Sequence, residues 1–247
     1  MSGIFPPKAV SLLRNFELIL FPSFCRLCSA FLDLPGEKIV CRSCWAQVKA
    51  EKLSFCLSCG SFFEGTAEPH FCASCLQEKP PFRAHRSFGR YRGRLKDILL
   101  LSKFHNLPVL AEDFSQRVNA HFACEETLWW ELDAVVPVPL HPKKERARGY
   151  NLSQIIARKL AQYKGITLLD KNLIKVKNLP PQMSLSMADR LESVKGAFAV
   201  RESEKLEEKV LLLVDDVYTT GATVRECSLV LMKAGAGEVR VVTVAQA

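Results

Sequence analysis

The segment Val210-Leu-Leu-Leu-Val-Asp-Asp-Val-Tyr-Thr-Thr-Gly-Ala-Thr223 decides the fold of this 247-residue chain. Its unbroken apolar run predicts a strand buried on both faces, which is typical of a parallel sheet covered by helices. Two acids, hydroxyl residues and a glycine follow, and then residues 223–234 predict a helix that ends at Gly235. The turn is therefore expected at the carboxyl end of a strand and at the N-terminus of a helix.

A turn of this kind is suited to binding phosphate, because successive backbone N–H groups point at the ligand and the helix dipole favours negative charge. Gly221 allows the backbone to approach closely. Asp215 and Asp216 suit sugar hydroxyls or a magnesium ion, and together the groups describe a ribose 5-phosphate site. In the alternative the two acids only cap the helix, for which one acid would suffice. The candidate phosphate-binding residues are Thr219, Thr220, Gly221, Ala222 and Thr223.

The segments around this turn alternate between strand and helix patterns. Strands are predicted at residues 133–139 and 239–244, and helices at residues 109–122 and 151–163, with Asn151 as an N-cap and Gln154 three residues on, as in a capping box. This alternation predicts a doubly wound, mainly parallel α/β domain. The composition changes near residue 80, so we expect an N-terminal helix and cysteine-rich module over residues 1–80 and the α/β domain over residues 81–247.

Eight of the ten cysteines form four Cys-x-x-Cys pairs, with twelve residues between the first and second pairs and twelve between the third and fourth. Two such pairs supply four thiolates to one zinc, so the module is predicted to be a double zinc ribbon with two structural Zn²⁺ sites that stabilise its fold. Redox-active dithiols or disulfides are the alternative. Sequential pairing is preferred, and the spacing leaves a cross-braced arrangement open. Cys124 and Cys227 are expected to be buried. The predicted ligands are Cys25, Cys28, Cys41, Cys44, Cys56, Cys59, Cys72 and Cys75.

Charge and hydropathy limit the classes of function. The chain has 34 Lys and Arg against 26 Asp and Glu, a net charge of +8 that favours anionic partners. No apolar run approaches the roughly 18 residues of a spanning helix, and the N-terminus does not resemble a secretory signal, so we expect a cytoplasmic protein with reduced thiols. Residues 83–103 combine seven cations, one acid and several aromatic residues, a composition that suits single-stranded DNA. In the alternative the aromatic residues pack in the core and the arginines are solvated. The candidate nucleic-acid residues are Arg90, Arg92, Lys96 and Lys103.

The phosphate turn matches the signature of type I phosphoribosyltransferases, which bind 5-phosphoribosyl-1-pyrophosphate (PRPP). Further motifs lie C-terminal to the paired zinc knuckles, and together with the knuckles they extend the match over about residues 21–245. The chain therefore resembles the ComF family of ComFC and GntX proteins. The motifs are Pro137-Val-Pro-Leu140, Arg148-Gly-Tyr-Asn151, Pro181-Gln182, Arg190 and Gly196-Ala-Phe198.

This resemblance implies that Asp215 and Asp216 hold the ribose hydroxyls, that residues 219–223 hold the 5-phosphate, and that the loop at residues 139–151 faces pyrophosphate. Cations of this loop and Mg²⁺ would neutralise the pyrophosphate leaving group, although Lys143 to Arg148 also fit a solvated loop or a nucleic-acid contact. Residues 178–196 resemble the flexible loop that closes over substrate. The residues carried over are Asp215, Asp216 and Arg148 as catalytic and Lys143 and Arg146 as PRPP-binding.

Two positions depart from the family pattern. Leu152 stands where the family usually has glutamine, and Ser193 stands where an asparagine is common. Neither position lies in the phosphate turn. The departures therefore concern turnover more than binding of the sugar phosphate.

The leading hypothesis is a protein that binds PRPP or ribose 5-phosphate and acts with single-stranded DNA in natural transformation or DNA processing, as the resemblance implies. Proteins of the DNA-uptake machinery at the inner face of the membrane would be its partners. The first alternative is a metabolic phosphoribosyltransferase, a pentosyltransferase with an acceptor that no motif names. The second is a binding module that senses a ribose phosphate.

Overall fold

The structure is a computed structural model that describes residues 23–34, 37–65, 68–105, 107–178 and 192–247. It divides into two compact units, Met1–Lys49 and Ala50–Ala247. The second group of cysteines therefore belongs to the same compact unit as the α/β domain, although the change in composition comes later, near residue 80. The N-terminal helix predicted from the sequence lies outside the described residues, as does most of the predicted flexible loop.

The helices predicted at residues 109–122, 151–163 and 223–234 are present to within one residue at each end, and the structure contains others beside them. In chain order, the helices are α1 (Arg42–Ala46), α2 (Ala73–Gln77), α3 (Gly93–Phe104), α4 (Val109–His121), α5 (Glu126–Trp129), α6 (Pro142–Arg148), α7 (Leu152–Lys164) and α8 (Ala222–Lys233). A short 3-10 helix covers Ser203–Lys205. Among the described residues, no helix has both the length and the apolar character that crossing a membrane requires.

The strands form one large sheet and one small one. They are β1 (Ala84–Arg90), β2 (Ala134–Pro137), β3 (Thr167–Leu168), β4 (Leu173–Lys175), β5 (Phe198–Val200), β6 (Val210–Tyr218) and β7 (Glu238–Gln246). The large sheet has the order β1-β7-β6-β2-β3 and all its pairs are parallel. Strands β4 and β5 form a separate antiparallel pair. The predicted fold class is confirmed.

Strand β6 occupies the centre of the sheet because both of its faces are apolar. Leu211 and Leu213 belong to the core cluster that includes residues of α8. Side chains alternate along a strand, so Leu212 and Val214 point to the opposite face. All four residues have no exposed surface, which shows that both faces of the sheet are covered.

Strand β6 is longer than the sequence predicts. The apolar run ends at Val214, but parallel pairing with β7 continues until Tyr218 lies beside Gln246. Both acids are therefore strand residues, with Asp215 beside Thr243. Backbone pairing with β7 extends the strand past the point where its side chains change from apolar to charged. Only residues 219–221 remain as the turn before α8.

The predicted start of α7 is confirmed, but its capping box is wrong. The side chain of the N-cap residue Asn151 accepts a hydrogen bond from the Ser153 N–H at 3.1 Å. Gln154 does not return to the N-cap; its side-chain amide donates to Asp170 at 2.7 Å. Leu152, at the position of the family glutamine, is fully buried.

The two unpaired cysteines differ in burial. Cys227 is fully buried in α8, as predicted. Cys124 is exposed, so the prediction that it is buried is wrong. The reason is that α4 ends at His121, which leaves Cys124 in the turn before α5.

Candidate functional site

The paired cysteines form two clusters of four. In each cluster the four Sγ atoms all lie within 4.8 Å of one another. The Sγ–Sγ distance is 3.9 Å between Cys25 and Cys44 and 3.8 Å between Cys59 and Cys72. Zinc–sulfur bonds of about 2.3 Å in a tetrahedron separate the sulfurs by about 3.8 Å, so the clusters fit one Zn²⁺ each. Sequential pairing is confirmed. The first cluster is Cys25, Cys28, Cys41 and Cys44, and the second cluster is Cys56, Cys59, Cys72 and Cys75.

Backbone hydrogen bonds favour the thiolate form of the first cysteine in each cluster, whereas burial raises the pKa of Cys44 and Cys75. The Cys41 N–H donates to Cys25 Sγ at 3.4 Å, and the Cys72 N–H donates to Cys56 Sγ at 3.3 Å. Burial raises the pKa of Cys56, but N–H groups led by that of Cys72 outweigh it and hold the pKa at about 7. A thiol with a lowered pKa releases its proton to a metal more readily. The donor set and its hydrogen bonds therefore fit structural zinc in both clusters.

The acid pair lies at the carboxyl end of β6. Asp215 Oδ1 accepts hydrogen bonds from the Ser153 hydroxyl at 3.0 Å and from the Asp216 N–H at 2.8 Å. The ammonium group of Lys103 lies 2.8 Å from Asp216 Oδ1. Burial raises the pKa of Asp215 to about 7, and the neighbouring Asp216 adds to the rise, while its N–H, Lys103 and Ser153 oppose it. The charge of the pair therefore changes near neutral pH.

A second lysine, Lys175 in β4 of the small sheet, interacts electrostatically with the acid pair. Burial lowers the pKa of Lys175, and Lys144 lowers it further, whereas Cys227 and Asp215 act in the opposite direction. Its Nζ lies 5.0 Å from the centre of the Phe198 ring. Lys175 also lines a cavity together with Pro137 and Asn151. The site therefore includes a partly buried cation that could face an anionic ligand.

The turn between β6 and α8 requires glycine at its centre. Gly221 is the N-cap residue of α8 and has φ of 75°, in the left-handed region. A Cβ at this position would lie 2.3 Å from the Tyr218 hydroxyl. The Thr220 hydroxyl accepts a hydrogen bond from the Ala222 N–H at 3.4 Å. Because α8 is twelve residues long, its dipole and first-turn N–H groups favour an anion at this turn.

The segment expected to be an open pyrophosphate loop forms the helix α6. Pro142 at its first position and Gly149 at its C-cap, with φ of 82°, are typical of helix boundaries. Lys144 and Arg148 line a cavity of about 290 Å³ together with Lys103. The exposed Lys143 and Arg146, which the resemblance also assigns to PRPP, do not line that cavity.

Three of the four cations assigned to nucleic acid, Arg90, Arg92 and Lys103, lie next to acids that the local sequence does not reveal. Arg90 is 2.6 Å from a carboxylate oxygen of Glu64, and both Arg90 and Arg92 are 3.5 Å from Glu51. These acids come from the segment of the second cluster, far from residues 83–103 in the chain. Lys103 lies at the acid pair instead. The nucleic-acid assignment of all four residues stays a prediction.

Aromatic rings accompany the same cations. Lys96 Nζ lies 5.8 Å from the centre of the Tyr91 ring, and the Arg90 guanidinium lies 5.9 Å from that of Phe62. Tyr91, Phe62 and Arg92 line a cavity of about 400 Å³. Cations beside aromatic rings are the combination that single-stranded nucleic acids contact.

Sequence reasoning missed two residues of the acid-pair site. Ser153 follows an N-cap at the carboxyl edge of the sheet, so the helix start was a usable signal for it. Lys175 has no such signal, since nothing local predicts that β4 contributes a cation near the acid pair. Lys103 was found but assigned to nucleic acid, because its partner Asp216 is 113 positions away in the chain.

The cysteine clusters, the parallel sheet and the acid-bearing turn define a class of protein: a double zinc ribbon with an α/β domain of the phosphoribosyltransferase type. Comparison with known proteins supports the double zinc ribbon. A family model for a double zinc ribbon domain matches residues 18–79. Competence protein F of Haemophilus influenzae is 35% identical over 116 residues, which are 47% of this chain and 51% of that protein.

Two further relatives have longer alignments. DNA utilization protein YhgH of Escherichia coli is 27% identical over 226 residues, 91% of this chain and 97% of that protein. Competence protein ComFC of Streptococcus pneumoniae is 30% identical over 158 residues, 64% of this chain and 66% of that protein. The chain spans about half the length of the Haemophilus relative that it matches. These relatives bear out the resemblance to the ComF family that the motifs predict.

Proposed function

We propose that the chain binds PRPP or ribose 5-phosphate, together with Mg²⁺, at the turn after β6. The observation that carries this proposal is the position of Asp215 and Asp216 at the end of the central strand, beside the glycine-capped N-terminus of α8. Carboxylates accept hydrogen bonds from vicinal hydroxyls, and an amide-lined helix N-terminus attracts a phosphate. A ribose 5-phosphate offers both groups at the matching ends of one molecule.

The surrounding cations suit the pyrophosphate group of PRPP. Lys103, Lys144 and Arg148 line one cavity next to the acid pair. None of Lys144, Arg148 and Lys175 forms an ion pair within the described part of the chain, so their charges remain available to an anion. Mg²⁺, when bound, would add charge neutralisation at the same phosphates.

We further propose that the chain acts with single-stranded DNA in the cytoplasm, in natural transformation or DNA processing. Relatives named for competence and DNA utilization support this reading. The surface formed by Arg90, Arg92 and Lys96 with its aromatic neighbours is the proposed contact, and proteins of a DNA-uptake machinery are the proposed partners.

Calorimetric titration of PRPP with and without Mg²⁺ tests the sugar-phosphate proposal. We expect Mg²⁺-dependent binding that is lost in the double variant Asp215→Asn, Asp216→Asn. Asp97→Asn makes the same chemical change on the surface of α3 and should bind as the parent does. Equal affinity of the double variant and the parent would show that the acids are not ligands.

Fluorescence anisotropy with a labelled oligonucleotide tests the DNA proposal. Affinity should fall steeply with salt, since each neutralised phosphate releases counterions. Repeating the PRPP titration with the oligonucleotide present shows whether the two ligands affect each other. Absence of oligonucleotide binding at low salt would remove the DNA part and leave the sugar-phosphate part standing.

A metabolic phosphoribosyltransferase is the second candidate function, and a cavity of about 370 Å³ favours it. This cavity is lined by Asn151, by Lys175 and by Pro137 at the end of β2, which pairs with Val214 directly before the acid pair. An acceptor bound there would lie next to the sugar-phosphate site. Mg²⁺-dependent release of pyrophosphate from PRPP with an acceptor would support the enzyme. Binding of PRPP without turnover by any acceptor would favour a sensor.

A further inference from the structure

His85 lies where the sheet contacts the second cluster. It is fully buried in β1, and its Nδ1 is 2.8 Å from the carbonyl oxygen of Cys59. Its Nε2 is 2.8 Å from the hydroxyl of Thr243 in β7. A carbonyl only accepts hydrogen bonds, so Nδ1 carries the ring proton and Nε2 accepts from Thr243. Both ring nitrogens are therefore satisfied, and the ring has one orientation.

The backbone of the second cluster approaches β1 closely at the same residue. The His85 N–H donates to the Ser58 carbonyl at 2.7 Å. A Cβ added to Gly60 would lie 2.5 Å from the His85 carbonyl oxygen and 2.9 Å from Nδ1. The Cys-x-x-Cys knuckle that contains Cys59 is therefore held directly against His85.

The His85 ring also contacts a residue that packs against the phosphate-binding turn. The His85 ring is stacked on the Tyr218 ring, with centres 4.2 Å apart and planes inclined by 15°. Tyr218 is the last residue of β6, and its hydroxyl fills the space beside Gly221. The Tyr218 ring therefore contacts His85 and the glycine of the turn at once.

We propose that His85 is a positioning residue that couples the second cluster to the phosphate-binding turn. Zinc fixes Cys59, the Cys59 carbonyl fixes the His85 ring, and the ring fixes Tyr218 against Gly221. Metal in the second cluster therefore strengthens binding of a ribose phosphate, and metal in the first cluster does not. This inference rests on the proposed sugar-phosphate site. Coupling between sites is reciprocal, so a bound ribose phosphate also slows loss of zinc from the second cluster.

Hydrogen–deuterium exchange tests the coupling without any ligand. Cys72→Ser removes a ligand of the second cluster, and Cys41→Ser makes the same change at the equivalent position of the first. We expect faster exchange in residues 219–223 with Cys72→Ser and no change there with Cys41→Ser. Peptides from β6 and β7 report whether the sheet itself has remained folded.

His85→Phe leaves all four cysteines of the second cluster in place. It is the deciding variant if Cys72→Ser loosens the whole sheet. The phenyl ring can still stack on Tyr218 but loses both ring hydrogen bonds. With zinc content at the parent level, residues 219–223 should exchange faster while β6 and β7 are unchanged. Parental exchange of the turn in this zinc-loaded variant would overturn the proposal.

Calorimetry with ribose 5-phosphate gives the second readout. Affinity should fall about 5- to 150-fold in His85→Phe, the usual range for coupled sites, and stay at the parent value in Cys41→Ser. In Cys41→Ser only the second cluster is complete, and ribose 5-phosphate should slow the transfer of zinc from this variant to a chelator. Ribose 5-phosphate should not slow zinc transfer from the double variant Cys41→Ser, His85→Phe. If the parent protein binds no ribose phosphate, the proposed function fails, while the exchange experiment still decides whether His85 connects the two sites.

Discussion

The ammonium group of Lys103 lies 2.8 Å from Asp216 Oδ1 and joins the end of α3 to the end of β6. Both side chains are mostly buried, at 17% and 16% exposure, so water screens this pair less than a surface ion pair. Lys103 also counteracts the rise in the pKa of Asp215 that burial and Asp216 cause. The charge state of the acid pair therefore depends on a residue from a distant helix.

Lys103→Gln should shift the pH dependence of sugar-phosphate binding upward. Without the ammonium group the pKa of Asp215 rises further above its value of about 7, so a higher pH is needed to charge it. The measurement is the affinity for ribose 5-phosphate across a pH series. Lys96→Gln, on the same helix and beside Tyr91, is the control and should leave the midpoint unchanged.

Asp215→Asn should flatten the dependence of stability on pH. The folded-state pKa of Asp215 is raised from its ordinary value of 3.8 to about 7, so between these values the folded protein binds more protons than the unfolded chain. Its contribution to the free energy of unfolding therefore falls as pH rises through this window and is constant above about 7. Urea denaturation at several pH values measures the slope. An identical slope in parent and variant would contradict the assignment.

Gly221→Ala should destabilise the fold more than Gly93→Ala. Both glycines have positive φ, which costs an alanine about 1 kcal/mol, but only at Gly221 would the new Cβ meet another atom, the Tyr218 hydroxyl. We expect a loss of about 1 kcal/mol for Gly93→Ala and clearly more for Gly221→Ala, together with weaker ribose 5-phosphate binding in the latter alone. Equal stability losses would indicate that the turn tolerates a side chain.

Metal analysis should find close to two zinc ions per chain, one for each cluster. Cys41→Ser and Cys72→Ser should each reduce the content toward one. Because zinc contributes directly to the folding free energy of such modules, a strong chelator should lower the thermal midpoint of the parent. A folded, metal-free protein would refute the zinc assignment.

Glu64→Gln and Arg90→Gln should change DNA binding in opposite directions. Glu64 lies 2.6 Å from Arg90 and Glu51 lies 3.5 Å away, so neutralising Glu64 removes the nearer of two carboxylates that compete with a phosphate for the guanidinium. We expect tighter oligonucleotide binding for Glu64→Gln. Arg90→Gln should weaken binding and reduce the salt slope by about 0.7 for the lost phosphate contact. If both variants bind like the parent, this surface is not the DNA site.

Local patterns predicted most of the fold. The apolar run at residues 210–214, the N-cap Asn151 and the Cys-x-x-Cys spacing each depend on neighbours in the chain, and the structure bears out all three. The capping box at Gln154 and the burial of Cys124 were wrong, because Asp170 competes for the amide and α4 ends early.

The amino-acid sequence by itself determined the class of protein, since zinc ligation, strand burial and the acid-bearing turn are encoded within short segments. Only the tertiary structure decided which distant side chains meet. Lys103 and Asp216, and His85 and Tyr218, come from segments far apart in the chain. Their contacts depend on how a helix and the strand β1 pack beside β6, which the pairing of the parallel strands sets and no local pattern encodes.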